Sequence, residues 1–308
     1  MRKIYAIGET LYDIIFQKNQ PKASKPGGAM LNTAVTLGRL HLPVNLISEY
    51  GDDPVGEIIE TFLEENHVQT SHIYKYQNGQ TAIALAFLDK DNNASYTFYK
   101  FYPRERLNIP IPEFKKDDIL IFGSFFALNF EIREKLLDLL QKARKQGVII
   151  LYDPNFRSPH QNELFSLKPL ILQNMSFADI VRGSDEDFMN IFGTDNFEQT
   201  YEAIRQYCPT LVYTASHHFV AIQSPTVTAK FEVPEISTIS TIGAGDNFNA
   251  GIIYELFNTN IKKTDLDKLT IDDWKNIQER AVSFAANVCQ SYDNYISREF
   301  ADKVREER

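Results

Sequence analysis

Ser240-Thr-Ile-Gly-Ala-Gly-Asp246-Asn-Phe-Asn-Ala-Gly-Ile-Ile-Tyr-Glu-Leu256 is the stretch from which the rest of the chain can be read. Ala244, Phe248, Ile252 and Leu256 recur at helical spacing, so a helix begins inside the glycines. Glycines there let backbone N–H groups converge at the positive end of a helix, where phosphate oxygens are stabilised. An Asp directly after them would repel a purely anionic ligand. It makes chemical sense if the carboxylate faces a hydroxyl that attacks the phosphate and takes its proton. The plain alternative is an ordinary loop, with Asp246 favoured in the first turn by the helix dipole.

Upstream of this stretch, short β-type runs alternate with longer helical periodicity. Strands are expected at Ile4–Ile7, Val44–Ser48, Ile119–Phe122, Val148–Tyr152, Ile180–Arg182 and Leu211–Thr214. Helices are expected at Ala29–Leu40, Pro54–Asn66 and Phe130–Gln146, near 185–192 and 197–207, and at about 244–257 and 272–290, the last two closing the chain. Such alternation implies a doubly wound, mostly parallel α/β sheet covered by helices on both faces. Two segments break it. Thr81–Leu88 and Ala94–Phe101 read as a hairpin around the turn-forming residues 89–93, and Glu9–Lys25 departs from a simple strand-to-helix turn. We expect a single domain over residues 1–308 with a small β lid formed from about 9–25 and 80–102, placed to exclude water from a site.

With 308 residues the chain can bury a large core without staples. Its 43% hydrophobic and 24% charged composition is that of a globular protein. A formal charge of -9 with no basic stripe counts against a nucleic-acid binder or an anionic-membrane protein. Cys208 and Cys289 form neither a disulfide framework nor a zinc-type spacing, which points to a reduced, cytoplasmic protein. The longest uncharged apolar-rich stretch, Ile119–Phe130, has 12 residues, short of the ~20 that span a bilayer. No GxxxxGK[ST], GxGxxG or HExxH occurs. His217-His218 reads as a turn pair, and the aromatic run at 96–102 as a flap or subunit interface.

Other groups lie just past strand ends, where ligand crevices of open α/β sheets form. They are Gly8-Glu9-Thr-Leu-Tyr-Asp13 and Asp153-Pro-Asn155-Phe-Arg157; separately, in Lys25-Pro-Gly27-Gly28-Ala-Met-Leu-Asn32 two glycines precede a helix whose first turn carries Asn32, for which a loop plus cap is the plain reading. Asx-Pro turn chemistry explains Asp153 to Asn155 but not Arg157.

Taken together, in this order and nearly end to end, these motifs resemble the PfkB/ribokinase family of carbohydrate kinases, most of all its fructokinase-like members. Gly27-Gly28…Asn32 is similar to the N-terminal double-glycine signature, and Gly51-Asp52-Asp53-Pro-Val-Gly56 to the segment after it. Thr241-Ile-Gly243-Ala-Gly245-Asp246 is similar to the C-terminal signature. The resemblance implies a ribokinase-like fold and ATP-dependent phosphorylation of a small sugar, fructose first. It implies Asp246 as the catalytic base, with Gly243, Ala244 and Gly245 as the anion hole. It implies Asp13, Gly28, Asn32, Tyr99 and Arg157 at the sugar, and Ser184, Thr214, Ser216, Thr241 and Asn287 at the nucleotide. Asp187 would organise Mg²⁺ through water, and the β lid pairs two subunits in relatives. The implied partners are a small-molecule sugar and ATP, with no nucleic acid and no membrane.

Departures from the family pattern bear on the ligands. Ser240 stands where an Asp associated with a monovalent-cation site is usual, which puts K⁺ activation in doubt. Ser184 and Asp187 replace Asn and Glu. Ser216 replaces a Gly at the nucleotide, and Gln290-Ser-Tyr-Asp-Asn-Tyr295 replaces a small Gly-Ala pair. Two alternatives stay open: an acidic sugar such as 2-keto-3-deoxygluconate, paired by Arg157, and a non-catalytic sugar sensor of the same fold.

Overall fold

The computed structural model describes residues 2–88 and 94–307; the turn expected at 89–93 lies outside the described residues. In chain order the first strands are β1 (Ile4–Ile7), β2 (Leu11–Gln17), β3 (Gln20–Gly27), β4 (Val44–Gly51), β5 (Gln69–Tyr76), β6 (Gln80–Leu88) and β7 (Ala94–Phe101). They are followed by β8 (Ile119–Gly123), β9 (Ile149–Asp153), β10 (Ile180–Ser184), β11 (Leu211–Ala215), β12 (Phe219–Gln223) and β13 (Thr228–Glu232). The α-helices are α1 (Ala29–Arg39), α2 (Pro54–Glu65), α3 (Arg133–Lys145), α4 (Leu164–Met175), α5 (Asp185–Phe192), α6 (Phe197–Ile204), α7 (Ala244–Asn258), α8 (Ile271–Cys289) and α9 (Arg298–Glu306).

Nine strands form the main sheet in the order β13-β12-β11-β10-β9-β8-β1-β4-β5. The seven from β11 to β5 are parallel, and β12 and β13 add an antiparallel edge. The central strands β1 and β8 are apolar along their whole length because both faces are covered. Ile4 and Ala6 of β1 enter one core, with Leu31, Leu63, Ile252 and Trp274 from α1, α2, α7 and α8. Tyr5 and Ile7 enter the other, with Leu136, Ile171, Phe188 and Ile204 from α3 to α6. The chain steps from β1 to β4 and β5 on one side, then returns to β8 and runs to β11 on the other. In open α/β sheets such a reversal is where ligands bind, beyond the carboxyl ends of the strands.

A second, four-stranded sheet has the order β3-β2-β6-β7. It accounts for both segments that break the alternation: Glu9–Lys25 becomes the pair β2 and β3, and β6 lies parallel to β2.

Some sequence expectations change. The helix expected at Phe130–Gln146 begins only at Arg133, because Asn129 caps a 3₁₀ turn over Phe130–Ile132 by accepting from Glu131 N–H. The helix ending at Cys289 does not close the chain; α9 follows, capped by Ser297. The half-polar edge strand β5 and the helix α4, with Pro169 inside it, have weak periodicity and were not legible. Cys208 and Cys289 are buried and free. Among the described residues no helix is long and apolar enough to cross a membrane.

Candidate active site

Gly243 caps α7 in the left-handed region at φ 80°, and a Cβ there would lie 2.7 Å from the Asn294 carbonyl oxygen. Both conditions favour glycine. The Ala244 N–H turns back to the Thr241 carbonyl at 3.2 Å, whereas the amides of Gly243, Gly245 and Asp246 donate to no acceptor among the described residues. Orphan donors at a helix start are available to an anion.

Asp246, in the first turn of α7, accepts at Oδ2 from Asn32 Nδ2 at 2.8 Å, and its carbonyl accepts from Thr33 Oγ at 2.9 Å. Thr36 donates to Asn247 Oδ1, and Asn247 Nδ2 donates to the carbonyls of Gly243 and Asn294, both at 2.8 Å. The first turns of α1 and α7 are thereby stitched together. Burial pushes the Asp246 carboxyl up to about 6; the Asn32 hydrogen bond and the cations Arg157 and Arg182 oppose that rise, and Asp153 adds to it.

Beneath the turn lies a buried polar cluster. Arg182, 7% exposed, donates to Asp153 Oδ2 at 3.0 Å and to Thr214 Oγ at 2.9 Å. Asn249 Nδ2 also donates to Asp153 Oδ2, at 2.6 Å, and Asn155 N–H reaches Oδ1 at 2.9 Å. At the end of β10, Ser184 and Asp187 form a reciprocal cap on α5, using Asp187 Oδ2. Asp187 Oδ1 is buried with no hydrogen-bond partner. Burial and the nearby Asp153 raise the Asp187 pKa, and Arg157 opposes them. Arg157 is about half exposed and pairs with Glu186 at 3.2 Å, in the field of Asp187, Asp153 and Asp246.

On the small sheet, Asp13 pairs in register with Lys25 of β3, Ala84 of β6 and, through Ala84, Phe98 of β7. Burial raises its carboxyl to about 6, opposed by Lys25. Gly28, at φ 127°, caps α1 where a Cβ would meet the Glu9 carbonyl oxygen at 2.1 Å. Tyr99 does not join this group. It pairs with Ile83, on the face opposite Asp13, because side chains alternate along a strand; Phe98 and Tyr96 share the Asp13 face.

The residues expected at the nucleotide are dispersed in their engagements. Ser184 and Thr214 are register partners at the ends of β10 and β11. Thr214 is occupied by Arg182, and Asn287 Oδ1 accepts from Ser297 N–H at 3.0 Å. Ser216 is exposed and held at φ 48°, and Thr241 is exposed beside Ile239 and Ile242. Sequence reasoning missed Arg182, Asn249 and Lys25. A charged residue inside the apolar run Ile180-Val181-Arg182 was the available signal for the first.

Residues 1–299 match a family model described as pfkB family carbohydrate kinase. Among curated proteins, the aminoimidazole riboside kinase of Salmonella typhimurium is 23% identical over 263 residues, covering 84% of this chain and 82% of that protein. A fructokinase of Vibrio alginolyticus is 25% identical over 264 residues, covering 82% and 83%. Among solved structures, a fructokinase from Vibrio cholerae O395 in a fructose, ADP and calcium ion bound form superimposes with a TM-score of 0.82 at 23% identity, over 96% of this chain and 94% of that one. An aminoimidazole riboside kinase from Salmonella enterica, complexed with aminoimidazole riboside and an ATP analog, gives 0.83 at 20% identity, over 99% of each chain. These structural likenesses establish the fold.

Proposed function

The chain belongs to the pfkB family of carbohydrate kinases, and from that premise we propose that it transfers the γ-phosphoryl group of ATP to a hydroxymethyl oxygen of a small sugar, with fructose as the first acceptor. The observation that carries this reading is the carboxylate of Asp246, held by Asn32 at 2.8 Å directly after a helix-start turn with unengaged amides.

Asp246 takes the proton of the attacking hydroxyl as the oxygen–phosphorus bond forms. The amides of Gly243 and Gly245 receive the charge that develops on the transferred group. Asn32 keeps the carboxylate aimed, and Asp13, Gly28 and Arg157 hold the sugar. Asp187 Oδ1, buried and unpartnered, suits a water on a Mg²⁺ carried by the phosphates, since this hard cation keeps waters and uses few carboxylates. When bound, Mg²⁺ neutralises phosphate charge. Among the described residues no group of three or more His, Cys, Asp or Glu is placed to cage a metal directly. The small sheet acts as a lid that excludes water, so that the sugar outcompetes hydrolysis. Exposed Tyr99 and Phe101 on its far face support pairing of two copies through this sheet; sedimentation showing only monomer at micromolar protein removes that pairing.

The test is sugar-dependent ADP release with Mg-ATP over neutral sugars, ribosides and carboxylated sugars, with and without K⁺. Turnover with fructose or a close ketose is expected. A strict preference for a carboxylated sugar would favour the second reading, for which Arg157 supplies the half-exposed cation. Silence on every sugar with ATP bound would leave the acceptor assignment wrong.

A further inference from the structure

Arg182 stands in a strand buried on both faces, where an arginine is costly unless paired. Its pairing is incomplete: Asp153 and Thr214 take the two terminal nitrogens, and Nε is buried without a partner. Stability alone does not account for such a residue. Its position does. A Cβ on Gly245 would lie 2.8 Å from Nη1, 3.5 Å from Nη2 and 3.6 Å from Cζ, so the guanidinium fills the space against Gly245 where a side chain would be. The ring of Phe248, one helical turn on, lies 5.1 Å from it.

The contacts close a circuit. Gly245 rests on Arg182 of β10, Arg182 bonds Asp153 of β9, and Asp153 accepts from Asn249, which is again on α7. The start of α7 is thus referenced to two central strands by a fixed, desolvated cation. In a site shielded from water such a charge acts strongly on an anion at the neighbouring amides.

Resting on the kinase reading above, we propose that Arg182 is the positioning residue of the anion-binding turn, holding Gly243–Asp246 against the sheet and lending positive potential to the phosphoryl group bound there. It acts through the turn and not by touching the sugar. Asp246 is faced by Asn32 from α1, Asp153 from β9, Arg157 from the loop after β9 and Arg182 from β10. Removing Arg182 therefore also makes Asp246 harder to ionise.

The experiment uses the full chain with Arg182→Met and Arg182→Lys. For Arg182→Met, kcat falls about 100-fold, comparable to losing one oxyanion donor, while sugar affinity by calorimetry stays within about threefold. The acid limb of its pH–rate profile moves upward by about half a unit or more. Arg182→Lys, keeping the charge, regains at least about tenfold in kcat. An unchanged kcat in Arg182→Met overturns the proposal. So does an unmoved acid limb with Arg182→Lys no better than Arg182→Met, which would make the residue mere packing. A readout independent of turnover is a thermal cycle with Gly245→Ala. Its loss of Tm should shrink in the Arg182→Met background, and strict additivity would overturn the contact on which the proposal rests. If the unaltered protein binds nucleotide but turns over no sugar, the acceptor assignment fails on its own account and the cycle, with calorimetry of AMP-PNP on the same variants, still decides: coupled Tm values and weakened AMP-PNP binding support the positioning role of Arg182, additive values and unchanged binding overturn it.

Discussion

The role proposed for Asp246 sets two opposing demands, because a proton acceptor must be ionised and its surroundings disfavour the ion. Its pKa of about 6 lies above the unfolded value of 3.8, so between these values the folded chain holds more protons than the unfolded chain. Stability contributed by this group is therefore fullest at low pH and is lost as pH rises through about 6. On the proposed role activity should run the other way, with an acid limb near pH 6. Asp246→Asn, which still accepts from Asn32, should lower kcat by about 10²–10⁴-fold. It should also raise Tm at pH 8 relative to the unaltered protein, by an amount that shrinks toward pH 5. Scanning calorimetry at both pH values checks this, and a lowered Tm at pH 8 would refute the desolvation account. Asp246, Asn32 and Gly28 were legible from sequence because glycine turns and first-turn polar residues are local signals. Arg182 and Asn249 were not, since their partners lie 29 and 96 residues away on Asp153.

At the scale of elements, the small sheet shows what local pattern can and cannot supply. The hairpin of β6 and β7 was visible in its Tyr- and Phe-rich runs, and β2 with β3 only as a departure from a simple turn. Which aromatic faces the sugar depends on register, and register is set by pairing with β2. The row Asp13–Ala84–Phe98 puts Phe98, and not Tyr99, on the face that carries Asp13, and if the sugar lies on that face Phe98 is the residue to test. Phe98→Ala should therefore raise the sugar KM several-fold and increase sugar-independent ATP hydrolysis, because the lid seals less well. Tyr99→Ala should leave both within about twofold. Equal effects of the two variants in a coupled ADP assay would return Tyr99 to the sugar. The segment 291–295 behaves similarly. Its Tyr292 carbonyl accepts from Lys25 of β3, while the Asn294 carbonyl accepts from Asn247, so the small sheet and the start of α7 share one support.

At the scale of the whole molecule, the site depends on how α7 is seated. The doubly wound plan was legible because most of the buried strands carry a short apolar run, as in Ile4–Ile7 and Ile119–Phe122. The antiparallel edge β12–β13 and the terminal α9 were not, being short and half-polar. What the plan leaves open is the depth at which α7 lies, and Gly251 sets that. A Cβ there would meet the Ala281 Cα at 2.4 Å and its backbone nitrogen at 2.8 Å, so α7 and α8 touch backbone to backbone. Neither atom belongs to a flexible side chain, and Gly251→Ala must push the helices apart. Overpacking of this kind costs about 1–3 kcal/mol, which for a chain of this size lowers Tm by about 3 °C or more. The displacement also reaches the first turn of the same helix, where Asp246 and the amides sit. Since a shift of about 1 Å at reacting groups can cost on the order of 100-fold in rate, kcat should fall more than the folded fraction does. Tm and kcat measured on one preparation separate these effects: a lowered Tm with unchanged kcat would mean that α7 yields locally at Gly251 and that its start is fixed by the sheet alone.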